Sequence, residues 1–215
     1  MKTEVRGISV ELEPNSRPYL VKRFVADGLD IILIFGLYLL FTFLILKTPL
    51  ADTYYGHADR AEAIVKEAVA RYDNDAKAIT SALNGNEEYR NERLAVELHG
   101  YLLKGLAVFL AEAILLLAVP LLSHWRVTPG KMLTGIMPFN EKKQTRAVWY
   151  QILYRFLFVF LIDSMALYLL TGTLTFLLVP VIRLTEILMN KKNKTVCDAV
   201  TGILIIEKAS YDGIN

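Results

Sequence analysis

The chemistry-bearing positions of this 215-residue chain are charged residues set into apolar runs. Arg23, Asp27 and Asp30 stand four and three residues apart at the head of the run Ile31 to Leu46, a spacing that places all three on one face of a helix. Holding such a charge inside a membrane costs a few kcal/mol on insertion scales, so charges there usually face protein or water. Glu112, Arg155 and Asp163 interrupt later apolar runs in the same way. If the helices pack around one interior, Asp30, Glu112 and Arg155 can meet in it. Two carboxylates and a guanidinium make a cation or proton site, because Arg155 or an arriving Na⁺ competes with the proton for the carboxylate. That competition is the core of cation/proton exchange, and Asp163 would add an outer relay step. The same residues also read as a fixed interhelical charge network, in which Arg23 with Asp27 and Asp30, and Arg155 with whichever acid it meets, specify helix packing and conduct nothing.

A second group lies outside the apolar runs. Thr128-Pro129-Gly130-Lys131 sets a turn leading to a short strand or interfacial helix, and Lys131 beside it either obeys the bias of basic residues toward the cytoplasm or meets a lipid phosphate. It is no P-loop, since the preceding glycines and the Lys-Ser/Thr ending are absent. The β-branched run Ile203 to Ile206 suits a strand that pairs with Ile136 to Phe139, and Asp198 just before it would cap this small layer or bond to Lys131 or Arg23.

No enzyme is expected. The three histidines His57, His99 and His124 are scattered, no serine sits in a nucleophile elbow, and no cysteine pair exists. Two intramembrane aspartates, Asp30 and Asp163, lack the flanking motifs of an aspartyl protease. Nothing points to a metal, a cofactor or nucleic acid. The single cysteine, Cys197, excludes an internal disulfide and reads as an ordinary reduced residue.

The elements that must position these groups follow from composition. The chain is 54% hydrophobic yet 21% charged, so its apolar residues are gathered in blocks. Blocks of the length that crosses a ~30 Å hydrocarbon core predict spans at about 20–46 and 101–122. The stretch from Val148 to Met189 is right for two more, at about 149–170 and 174–189. Thr171-Gly172-Thr173 is the preferred hairpin turn, with Asp163-Ser164 as the other candidate break. The fold expected is an all-α membrane protein of four transmembrane helices, with an extracytoplasmic helical insert at 47–100 and a small cytoplasmic layer.

Basic residues before the first span, between the second and third, and after the fourth belong on one side, the cytoplasm, with both termini there. Tyr19, Trp125, Trp149 and Tyr150 would anchor the inner interface. The first apolar run lacks a cleavage site and is expected to stay in the mature protein of a multi-pass cell-membrane protein. In the insert, Ala61, Ile64, Val65, Ala68, Val69 and Tyr72 give a short amphipathic helix. Asp73-Asn74-Asp75 and Asn84-Gly85-Asn86 read as turns, and Asn86 starts a helix that runs on into the second span. The short helix would lie on the membrane or against that projection, or else serve a partner.

Three motifs resemble those of the RDD family of membrane proteins: Arg23 with Ala26 and Asp30, Thr128 to Ile136, and Lys194 to Gly202. The resemblance spans Arg23 to Ile206 and makes the whole chain one RDD-type domain, with Arg23, Asp30 and Asp198 as the residues of the family's name. The 47–100 insert, with His57 and His99, falls outside it. The resemblance implies a transporter-like protein, since some members are proposed sodium/proton antiporters, or a regulator or assembly partner of another membrane protein. Besides the bilayer, the partners implied are monovalent cations and protons, or a second membrane protein. Four spans are few for a pathway, so transport favours a homo-oligomer.

Overall fold

The computed structural model describes residues 2–5, 8–11, 17–140, 142–143, 145–166, 179–189 and 194–207. The hairpin turn expected at Thr171-Gly172-Thr173 lies outside them. The described chain is mainly helical. Strand β1 (Lys2–Val5) pairs antiparallel with β2 (Ile8–Glu11), where the sequence reading assigns no element.

Helix α1 (Arg17–Ile45) inverts the burial of a water-soluble helix. Arg23, Asp27 and Asp30 are buried beside Ala26 and Ile34, while Ile32, Leu39, Leu40 and Phe43 are exposed. A polar inner face under an apolar outer one suits a hydrocarbon surrounding.

The chain divides into two compact units. One, Tyr38–Ala107, holds α2 (Asp52–Arg71), α3 (Ala76–Gly85) and the first part of α4 (Glu87–Leu122). Helix α2 starts earlier than its apolar periodicity predicts, because a short turn with Pro49 at its first position leads directly into it. It lies against α4: His57 Nδ1 is 2.6 Å from Glu92 Oε2, and the His57 and His99 rings stack at 5.3 Å. The turn at Asp73 and Asn74 has positive φ, and Asp75 then caps α3, a helix the sequence reading did not assign, by accepting from the Lys77 and Ala78 amides. Asn86 caps α4 through the Tyr89 amide at 2.9 Å. By length and composition two helices can cross a membrane, Leu20–Ile45 within α1 and all of α4. The last turns of α4 include a π-helical stretch, Ala113–Ala118.

The other unit comprises Met1–Leu37 and Val108–Asn215. Here follow α5 (Pro129–Thr134), β3 (Ile136–Asn140), β4 (Thr145–Arg146), α6 (Trp149–Phe158), α7 (Val179–Met189), α8 (Val196–Thr201) and β5 (Ile203–Glu207). Helix α6 passes without a turn into a π-helical stretch, Val159–Ala166, so Asp163-Ser164 is not a break.

The sheet has the order β4-β3-β5, all antiparallel, and β3 with β5 forms the pairing that the β-branched run predicts. Met137 and Phe139 share one face with Leu204 and Ile206, where they pack with Val127. Ile136, Ile203 and Ile205 fill the other with Ala26 and Ile152. Both faces are covered, which explains why β5 reads as an unbroken apolar run rather than an alternating one.

Helices α5 and α8 are one device used twice. Each starts on a threonine, Thr128 or Thr195, and each ends on Thr-Gly with the glycine left-handed, Gly135 at φ 70 and Gly202 at φ 65. The closing threonines bond back in the same way, Thr134 to the Gly130 carbonyl at 2.9 Å and Thr201 to the Cys197 carbonyl at 2.7 Å. Each glycine leads into an isoleucine that opens a strand. Pro138 and Ile205, the third residues of β3 and β5, lie opposite each other in the register, so a local two-fold relates the two halves.

Candidate functional site

The first turn of α5 rests directly on α1. Thr128 sits at the capping position, yet its hydroxyl donates to Asp30 Oδ2 at 2.5 Å rather than accepting from its own helix. Asp30 replaces it as the cap: Oδ1 accepts from the Gly130 amide at 2.7 Å. Only glycine fits there. A Cβ on Gly130 would collide with the Ala26 carbonyl oxygen and come within 2.8 Å of Asp30 Oδ1. Pro129 supplies the preset φ of a first helical residue. Lys131, 6% exposed, closes the group, with Nζ at 3.1 Å from Asp27 Oδ1, 3.3 Å from Asp30 Oδ2 and 3.4 Å from Thr128 Oγ1.

Helix α8 presents the opposite sign to the same helix. Thr195 caps it in a reciprocal box: its hydroxyl accepts from the Asp198 amide at 3.1 Å, and Asp198 Oδ2 accepts from the Thr195 amide at 3.4 Å while still reaching partners on other elements. Asp198 is fully buried. It accepts from Arg23 Nη2 at 2.5 Å through Oδ2 and from Arg155 through Oδ1. Burial alone would raise its carboxyl; the Arg155 and Arg23 guanidiniums outweigh that and hold it well below the usual carboxylate range. Burial pushes the adjacent Cys197 thiol up to about 11.

A third set ties in α6 and α7. Arg183 donates to Asp163 Oδ2 at 2.9 Å, and its Nη1 lies 3.8 Å from Asp27 Oδ1. Asp27, Asp30, Asp163 and Asp198 thus each meet a cation among Arg23, Lys131, Arg155 and Arg183. These contacts join α1, α5, the α6 segment, α7 and α8.

Glu112 stands apart. It is 1% exposed, Oε1 accepts from the Ser164 hydroxyl, and Oε2 has no hydrogen-bond partner among the described residues. The pair sits where both helices leave the regular α-ladder, just before the π stretch of α4 and inside that of α6. Such stretches are frequent at functional sites.

The structure brings Arg23, Asp27, Asp30, Arg155, Asp163, Lys131 and Asp198 into contact through the pairs above. It does not gather Asp30, Glu112 and Arg155 around one cavity; each has its own close partner. The stripe of α1 resolves differently from its helical spacing: the short bond of Arg23 goes to Asp198, and Asp27 meets Lys131 and Arg183. Arg183 and Ser164 are site residues that the sequence reading did not select. A lone arginine between apolar neighbours in the last run was the available signal for Arg183. For Ser164, an ordinary hydroxyl, no such signal exists.

Comparison with known families matches residues 17–202 to the family model described as the RDD family. No curated protein and no solved structure matches the chain.

Proposed function

The chain belongs to the RDD family, and we propose from its polar geometry that it is a four-span, transporter-like protein of the cell membrane that exchanges a monovalent cation for a proton at Glu112. Its termini would lie in the cytoplasm. The observation that carries this reading is the buried Glu112 carboxylate, with one oxygen on Ser164 and the other unpartnered. A buried carboxylate that makes no ion pair among the described residues and has one unpartnered oxygen offers a place for a proton or a small cation. The aspartates, by contrast, are each bonded to a lysine or arginine. In this reading the aspartate network is the frame and Glu112 the exchanging group.

A second reading rests on that network itself. Charge pairs that join five elements specify assembly, as a scaffold or regulator of another membrane protein requires.

Proteoliposomes holding a pH-sensitive dye, given a Na⁺ or K⁺ pulse, separate the two. The exchanger acidifies or alkalinises the lumen, and Glu112→Gln abolishes the response while its elution profile is kept. A silent wild type beside a working control transporter overturns exchange and favours the scaffold. A fully active Glu112→Gln overturns the assignment to Glu112.

A further inference from the structure

Between the end of α4 and the start of α6 lies a second concentration of basic groups, separate from the aspartate network. A cleft of about 600 Å³ opens there, with Leu121, Leu122, His124, Arg126, Arg146 and Trp149 on its walls and no acidic residue among the described residues lining it. Arg126 donates to the Leu121 carbonyl, and Arg146 Nη1 donates to the His124 carbonyl at 2.6 Å. The Arg146 guanidinium also lies 5.9 Å from the Trp125 ring. These contacts fix both guanidiniums while leaving most of their five N–H donors unused. Neither pairs with a carboxylate among the described residues. Arg126 is held at φ 58, a left-handed backbone unusual for a residue with a side chain.

Three further features point the same way. Val148 and Trp149, on the cleft wall, begin α6, whose first turn presents the positive end of the helix dipole. Arg126 also lines an interior cavity of about 20 Å³ together with Lys131, Arg155 and Arg183; those three are answered by the aspartates, which leaves Arg126 as the cation of that wall with no carboxylate partner among the described residues. At the rim, Leu122 is 87% exposed and Trp149 61% exposed, at the end of one membrane-length helix and the start of the next apolar segment.

We propose that this cleft binds the headgroup phosphate of an anionic phospholipid, with Arg126 and Arg146 on the phosphate and an acyl chain along Leu122 and Trp149. A free anion would use the guanidiniums but leave the exposed apolar rim without a role. The lysine of the Thr128-Pro129-Gly130-Lys131 turn does not serve, because its ammonium is buried on Asp27 and Asp30. The proposal rests on the membrane placement of the chain and not on exchange at Glu112.

Native mass spectrometry of the detergent-purified full chain, with equal amounts of phosphatidylglycerol and phosphatidylcholine, tests it. The wild type should retain the anionic lipid preferentially. Arg126→Gln with Arg146→Gln should weaken it about thirtyfold, at roughly fivefold for each basic charge near an anionic surface. Arg146→Gln alone, on a half-buried side chain remote from the aspartate network, should show about fivefold and covers the case in which the double variant misfolds. Lys142→Gln with Lys143→Gln, bases outside the cleft lining, should change nothing. Equal retention of both lipids, an unchanged preference in Arg146→Gln, or an equal loss in the Lys142 and Lys143 variant overturns the proposal. So does displacement of the lipid by millimolar inorganic phosphate, which would make the site one for free phosphate.

Discussion

Lys131 and Asp198 occupy the same position, the third residue, in two matching six-residue helices, and they carry opposite charges. Lys131 reaches Asp27 and Asp30, while Asp198 takes Arg23 and Arg155. One stripe of α1 therefore reads the two halves of the repeat by sign. Exchanging the halves would set Lys131 against Arg23 and Asp198 against Asp27 and Asp30, burying like charges together. The pairing makes a single arrangement of a near-symmetric device strongly preferred.

Asp198→Asn removes the counterion of two buried guanidiniums, and the expected loss is about 3–5 kcal/mol. Lys22→Gln, at the partly exposed Lys22–Glu207 pair of 3.0 Å, should cost about 1 kcal/mol or less. Thermal unfolding in detergent, followed by circular dichroism, measures both. Equal small shifts would contradict the lock.

The same carboxyl sets an acid limb. Because its folded pKa is depressed, its stabilisation is fully present above the unfolded value near ~4 and is lost as pH falls from there toward the folded value. Unfolding temperature should thus receive a constant contribution from Asp198 between pH 8 and pH 5, by approximate carboxylate ranges, and fall below about pH 4. Asp198→Asn should flatten that fall; an identical acid limb in the variant argues against it.

Gly130→Ala and Gly28→Ala should act in opposite directions. At Gly130 the new methyl meets the Ala26 carbonyl, so α5 must withdraw from α1 and the bond from the Gly130 amide to Asp30 must lengthen. At Gly28, inside α1, nothing lies within 4 Å, and alanine should add about 0.5–1 kcal/mol through helix propensity. A pair of melting curves is enough, and a Gly130→Ala protein as stable as wild type would mean that the close approach is not required.

Cys197 should be nearly inert in the folded protein. Its thiol, 3% exposed and pushed up to about 11, has a thiolate fraction at pH 8 on the order of a hundredfold below that of a free cysteine. Maleimide labelling of intact and denatured protein compares the two directly, with no other cysteine to confuse the count. Comparable rates would mean that α8 opens readily.

Much of the frame can be read along the chain, because the signals are local. Apolar run length marks α1 and α4, β-branched residues mark β5, and the turn residues Asp73 to Asp75 and the cap at Asn86 mark helix boundaries within the insert. For Asp198 a capping role, Lys131 and Arg23 were all open in the sequence, and helical spacing alone pointed Arg23 to Asp27; the structure gives the bond from Arg23 to Asp198. The caps were harder. Thr128 and Thr195 look alike in sequence, but one hydroxyl is diverted to Asp30 and the other caps its own helix.

The sequence by itself determined which residues must find polar partners, since a charge in an apolar run cannot be left alone. Through run length, β-branching and capping it also marked α1, α4 and β5, though not the β1–β2 hairpin or α3. Only the tertiary structure decided who the partners are. Asp30 meets the start of α5 far along the chain, Asp27 and Asp163 share Arg183, and Glu112 meets a serine rather than a cation. Those outcomes depend on how close α5 comes to α1 and on which turn of α6 faces α4. Helix spacing fixes the face a side chain occupies; packing distance and rotation fix what stands opposite it.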